Sequence, residues 1–405
     1  MHAAAALNTV PDDFDALLRR SGLKALTLKG RRLLPIVQGG MGVGISAQKL
    51  AGAVAAAGGM GTLSSVDLRR HHPDLMQRTE GHCHGEEAKR VINEANLEAL
   101  GREIAGARER SQGRGLVALN IMRAVSEYAA SARKALEGGI DALVVGAGLP
   151  LDLPDLAQEH PHTALIPILS DARGVQLILR KWERKKRLPD AIVIEHPRLA
   201  GGHLGAARIA DLNDERFDFE RVIPECREHF ARQGLDIPLI AAGGIRTFED
   251  ILRLQALGAA GVQLGTPFAV TEEGDAHPEF KRVLAEARDE DLVEFTSVAG
   301  LPARAVGTPW LRSYLKIEHK LQAVAQVKSR CTKAFDCLAQ CGLRDGLKDW
   351  GQFCIDNQLA AALRGDVRKG LFFRGAGSLP FGKQIRSVRE LMERLLTPAQ
   401  VAQAL

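Results

Sequence analysis

Two glycine corners are the first residues in this chain whose type and spacing could do chemistry. Gly243-Gly244 follows the apolar run Pro238–Ala242, and Gly265-Thr266 follows Val262-Gln263-Leu264. Bare amides at two such corners, at the carboxyl ends of neighbouring parallel strands, make a nest for a phosphate. Cys331, Cys337, Cys341 and Cys354 form a second group, separated by five, three and twelve residues. Four thiolates on one short segment suit a [4Fe–4S] cluster, which takes one thiolate per iron. A structural zinc comes second, because no Cys-x₂-Cys knuckle is present, and unligated thiols third. His203 lies in the loop Ala200-Gly201-Gly202-His203-Leu204-Gly205. From the residues alone it reads equally as a loop histidine or as a base, since a neutral imidazole takes up a proton near neutral pH. Glu195 and His196, at the end of a strand just upstream, add a carboxylate and a second candidate base.

These residues need a scaffold that repeats strand, turn and helix. Leu33–Gln38 reads as a strand running into Gly39-Gly40-Met41-Gly42, and further apolar strands follow at Met60–Leu63, Leu116–Ile121, Ala142–Val145, Ala164–Leu169 and Ala191–Glu195. Helices are expected between them, at Ala47–Ala57, Ser126–Leu136, Gly174–Arg184 and Phe219–Gln233. Thr247 can cap a helix Phe248–Leu257, which Gly258 ends. With the two strands of the glycine corners the count is eight, the pattern of a (β/α)₈ TIM barrel. An open doubly wound sheet explains less well why glycine or polar turns follow almost every strand.

The barrel is assigned to residues 33–310, after a helical lead-in at 1–32 and before a helical extension at 311–405 that carries the cysteines. Residues 66–115 form an insertion with His71, His72, His82, Cys83 and His84 and a long helix, Glu86–Arg110. Adjacent His-Cys-His side chains do not converge readily on one metal, so the insertion reads as a lid over the site. Past residue 270 the pattern is irregular and helical: a helix Asp275–Arg288, a turn at Gly300–Arg304, and closing helices Val388–Leu396 and Ala399–Leu405.

The 405 residues, 45% apolar and 25% charged, describe an ordinary globular protein with a large core. A net charge of +5 with only 4% aromatic residues argues against nucleic acid as a partner. The dense basic run Arg180–Arg187 reads as a solvated helix end. No stretch is long and apolar enough to span a bilayer, and Ala3–Leu7 is too short for a signal-peptide core. A cytoplasmic protein is expected, with reduced thiols. Cys83 and Cys226 read as buried free thiols. These patterns are compatible with a homo-oligomer.

Pro35-Ile36-Val37-Gln38-Gly39-Gly40-Met41-Gly42, Ala200-Gly201-Gly202-His203-Leu204-Gly205 and Ala241-Ala242-Gly243-Gly244-Ile245, in this order, resemble the nitronate monooxygenases. That family, also called 2-nitropropane dioxygenases, is FMN-dependent and related to the FMN-dependent enoyl reductases. Gln263-Leu264-Gly265-Thr266, His277-Pro278-Glu279-Phe280-Lys281 and Gly300-Leu301-Pro302-Ala303-Arg304 extend the resemblance over roughly residues 33–310. It implies that Gly243, Gly244, Gly265 and Thr266 hold the FMN phosphate. It also implies that Gly40, Met41, Asn120 and Gln263 lie against the ribityl chain or flavin ring, and that His203 is the catalytic base. Gly39, Ser170, Glu195, Gly202 and Leu264 complete the candidate cofactor set. The chain departs from many relatives after the fifth strand, where Ser170-Asp171-Ala172-Arg173 stands in place of a lysine. Arg173 or a helix terminus is then expected to balance reduced flavin.

The last three cysteines are spaced like those of iron–sulfur barrel flavoenzymes of the 2,4-dienoyl-CoA reductase type. Two catalytic readings follow. The first is oxidation of a small-molecule alkyl nitronate by O₂ through FMN, with His203 as base. The second is reduction of an activated double bond by FMN and a [4Fe–4S] cluster. No second dinucleotide fold is present, so that reductase would be fed by NAD(P)H bound over the flavin or by an external redox partner. A non-catalytic flavin-binding scaffold is the third reading.

Overall fold

The computed structural model describes residues 10–81, 85–328, 330–333 and 335–398. Expectations for Ala3–Leu7, His82–His84 and Ala399–Leu405 fall outside these residues. Eight parallel strands close into a barrel. They are β3 (Ile36–Gln38), β4 (Met60–Ser64), β5 (Leu116–Met122), β6 (Ala142–Gly146), β7 (Ala164–Leu169), β8 (Ile192–Glu195), β10 (Leu239–Ala242) and β11 (Gly261–Leu264). Closure comes from β11 pairing with β3, with Gln263 opposite Val37, and from β10 pairing with β8, with Ala242 opposite Glu195. Helices flank the barrel, as a (β/α)₈ fold requires.

The short apolar strands explain this closure. Alternate residues point into the barrel, so Val37, Val144, Ile166, Val193 and Ile240 pack inside while Ile36, Val145, Leu165, Ile192 and Leu239 meet the helices. Each fully buried branched side chain contributes about 1.5–3 kcal/mol. The lead-in is not wholly helical. After a helix Asp12–Ser21 comes a hairpin, β1 (Leu26–Leu28) and β2 (Arg31–Leu33). Leu26, Leu28 and Leu33 join the interior cluster and plug the amino end of the barrel. Among the described residues, the polar and glycine-lined space of the barrel lies at its carboxyl end.

Between β4 and β5 the helix Gly85–Ser111 packs along the helix Gln48–Ala56. His71 and His72 have structural partners: His71 Nε2 is 2.7 Å from the Gly44 carbonyl, and His72 Nε2 is 2.9 Å from Glu103. The region past 270 is less helical than its sequence suggests. The helix there is shorter, Pro278–Glu286, and the expected turn at Gly300–Arg304 overlaps β13 (Pro302–Val306). β13 pairs antiparallel with β12 (Leu292–Thr296) and with β9 (Gly202–His203). Pro302 heads the strand, and the pattern Pro-Ala-Arg-Ala-Val is too short and small to signal one alone. Among the described residues, no helix is long and apolar enough to cross a membrane.

Candidate functional site

The carboxyl ends of the strands surround one cavity of about 540 Å³. Gly39, Gly40, Met41, Asn120, Ser170, Glu195, Gly202, His203, Gly243, Gly244, Gln263, Leu264, Gly265 and Thr266 all line it. Residues read as candidates from several separate stretches thus meet in a single place.

The two glycine corners face each other because β10 and β11 are neighbours in register. Gly243 and Gly244 have φ of 108° and 74°, the left-handed region that favours glycine, which turns their amides away from the strand ladder. The capping box between Thr247 and Asp250 then starts the helix Phe248–Leu257, ending at Gly258 as the sequence predicts. Arg246, between corner and helix, also lines the cavity. Its Nε is buried without a hydrogen-bond partner, and no ion pair reaches its guanidinium among the described residues. Two glycine corners beside an unsatisfied cation fit a phosphate well.

His203 is held by the small sheet. It pairs with Ala303, while the Leu204 amide donates to the Pro302 carbonyl at 2.8 Å. The buried Arg304 guanidinium donates to the Ala200 carbonyl, fixing the loop that leads to the histidine. His203 Nε2 lies 2.9 Å from Ser297 Oγ, just after β12. Its ring is tilted against Phe373, 5.6 Å between centroids. Burial pulls its pKa down to about 4, so the imidazole is neutral at pH 7. Glu195 opens on the same cavity, and burial pushes its carboxyl up to about 7.

Two candidates lie elsewhere. His196 is 3% exposed and faces outward, its Nε2 3.2 Å from Asp218 and its ring edge-on to Phe219. Adjacent strand residues point to opposite sides, so Glu195 inside puts His196 outside. Arg173 is exposed on its helix and does not line the cavity. It cannot balance charge on a flavin there.

The four cysteines gather at one flank. Cys337 lines the cavity, and charge on Cys341, Cys354 or Cys331 would raise its thiol further above the level set by burial. They nevertheless do not make a ligand set. Among the described residues, no three His, Cys, Asp or Glu side chains are placed to hold a metal ion. Cys337, Cys341 and Cys354 pack with the apolar core, and burial raises all three thiols. Cys341 Sγ accepts the Arg344 amide at 3.5 Å and caps a short helix. Among the described residues the side-chain placement therefore does not support the iron–sulfur expectation, or zinc behind it. Cys226 is 1% exposed, its thiol pushed up to about 12 by burial, as a buried free thiol should be.

Sequence reasoning missed Ser297, Arg246 and the segment Phe373–Ser378. Arg246 stands next to a glycine pair and could have been flagged by that spacing. Ser297 and Phe373–Ser378 carry no local signal.

A family model described as nitronate monooxygenase matches residues 26–397 of this chain. The chain belongs to the nitronate monooxygenase family. As a member it is an FMN-dependent oxidoreductase. A Bacillus subtilis protein named "Probable nitronate monooxygenase" is 28% identical over 290 residues, covering 70% of this chain and 79% of that protein. Among solved structures, FabK from Thermotoga maritima aligns with a TM-score of 0.62 at 21% identity over 98% of both chains. A nitroalkane oxidase from Streptomyces ansochromogenes aligns with a TM-score of 0.60 at 21% identity, over 95% of this chain and 99% of that one. At such identities the two structures speak to the fold. The match runs past the barrel, taking in the small sheet and the extension as far as residue 397.

Proposed function

We propose that this enzyme binds FMN with its phosphate on the corners Gly243-Gly244 and Gly265-Thr266 and its ring toward His203. We further propose that it oxidises alkyl nitronates, or their parent nitroalkanes, with O₂. The observation that carries this reading is that one cavity holds both glycine corners and a neutral imidazole. Bound flavin supplies the chemistry of accepting substrate electrons and passing them to O₂.

The chain's own residues bind the substrate and move a proton. A neutral nitroalkane must lose its α-proton before it is as readily oxidised as a nitronate. His203 takes that proton: the C–H bond breaks, its electron pair moves into the C=N bond of the nitronate, and imidazolium forms. For this, Nε2–H donates to Ser297 Oγ and the lone pair resides on Nδ1, which fixes the tautomer. Ser297 also accepts the Ala299 amide at 3.2 Å, so its oxygen is held in place. The ionised carboxylate of Glu195 in the same cavity would favour the imidazolium over the neutral ring. Phe373 and the apolar walls limit water around the ring.

Oxygen consumption by the FMN-loaded protein tests the proposal. Turnover with an alkyl nitronate, without NAD(P)H, supports it. NAD(P)H oxidation driven by an enoyl thioester, with no nitronate turnover, would assign the cavity to double-bond reduction instead.

A further inference from the structure

A segment of the C-terminal extension, Phe373–Ser378, crosses the cavity at its phosphate end. It is tied down at both sides. Phe373 bridges Ala305 on β13, and the Gly375 amide donates to Thr266 Oγ1 at 3.0 Å, on one of the two glycine corners. The Ala376 amide donates to the Leu199 carbonyl at 3.1 Å. Gly377 then passes over the Arg246 guanidinium so closely that a Cβ there would stand 1.9 Å from Nη2, at a φ of 86°. The segment therefore presses Arg246 against the cavity while giving it no acceptor.

A second arginine sharpens this. Arg374 is 2% exposed, spends its Nε on the Leu284 carbonyl at 2.9 Å, and has Asp289 4.0 Å away. Burial lowers the pKa of Arg374, the Asp289 carboxylate offsets part of that, and the Arg246 charge adds a smaller lowering. Two arginines thus line the same cavity, Arg374 with Asp289 as its partner and Arg246 with its Nε buried and without a hydrogen-bond partner. A buried guanidinium N–H without an acceptor is costly until an anion reaches it, and an arginine fork suits a phosphate.

We propose that Arg246 is the counter-ion of the flavin 5′-phosphate, and that the segment Phe373–Ser378 is a strap which the bound phosphate pins across the cofactor. This rests on the glycine corners holding that phosphate. The strap makes the extension part of the cofactor site. It also makes the phosphate the feature that separates FMN from riboflavin.

Titration of apoprotein with FMN and with riboflavin, followed by flavin fluorescence, tests the assignment. Wild type should bind FMN more tightly than riboflavin. Arg246→Ala should weaken FMN by about 10- to 100-fold and leave riboflavin within about twofold, the range for a charge-assisted bond. Arg246→Lys should restore part of the loss. Gly377→Ala, which displaces the guanidinium, should act in the same direction as Arg246→Ala. Amide exchange at residues 374–377 should slow with FMN and not with riboflavin. Equal losses for both flavins would make Arg246 a scaffold residue, and no loss would remove it from the site; either result overturns the assignment. Exchange at 374–377 that FMN leaves unchanged would overturn the strap. Wild type that binds both flavins alike would instead defeat the phosphate reading beneath it.

Discussion

The imidazole of His203 and the hydroxyl of Ser297 meet at 2.9 Å although 94 residues separate them in the chain. The contact exists because β9 and β12 are the outer strands of one small sheet, joined through β13. It fixes the ring that opens on the cavity. His203→Ala should leave FMN bound and lower turnover of neutral nitroalkanes by about 10²–10⁴, the range of general-base catalysis. Nitronates arrive without the proton in question, so their turnover should fall far less. Parallel kinetics on one nitroalkane and its nitronate separate the two; equal losses would deny His203 the role of base.

Ser297→Ala tests positioning. Removing the hydroxyl frees the ring and its tautomer, so nitroalkane turnover should drop by about tenfold, the scale of one net hydrogen bond. FMN affinity should not change. The pH profile of the nitroalkane reaction should shift as well, which loss of packing alone would not produce.

Glu195 sets a pH dependence of its own. Its carboxyl titrates at about 7, so it is neutral in acid and ionised in base. Above about pH 7 a carboxylate shares the cavity with an anionic nitronate and repels it. The KM for nitronate should therefore rise as pH passes through 7, and Glu195→Gln should flatten that rise. His203, at about 4, stays neutral across this window and contributes nothing to it.

A buried ion cluster ties the start of the segment after β4 to the C-terminal extension. Arg70 reaches Asp67 at 2.5 Å and Asp356 at 3.0 Å, and Lys333 joins Asp356. Both carboxylates are almost wholly buried. Arg70→Met leaves Asp67 to Arg69 and Asp356 to Lys333 with no cation between the two carboxylates, and should destabilise the protein by about 1–3 kcal/mol. Chemical denaturation checks this; a loss below about 1 kcal/mol, as for a surface pair, would contradict it.

Much of the barrel is legible in sequence because each strand is a short apolar run closed by a turn. Strands β3 to β11 other than β9 all coincide with runs such as Ile192–Glu195 or Leu239–Ala242. The glycine corners are legible for the same reason, since their left-handed backbone leaves a residue-type signature. What was hidden depends on distant contacts. Ser297 acquires its role only when β12 and β13 pair, and Arg374 only when the extension returns to the cavity. The cysteines carry a signal in sequence that the fold does not support. Their spacing suggested ligands, yet in the fold Cys341 serves as a helix cap and Cys337 as cavity wall.

Anaerobic mixing of the FMN-loaded protein with an alkyl nitronate bears most directly on the central claim. Substrate electrons should enter the flavin in one turnover, bleaching its visible absorbance, and admitting O₂ should restore the colour. Flavin that stays oxidised with every nitronate offered, while the protein remains folded and loaded, would contradict the account.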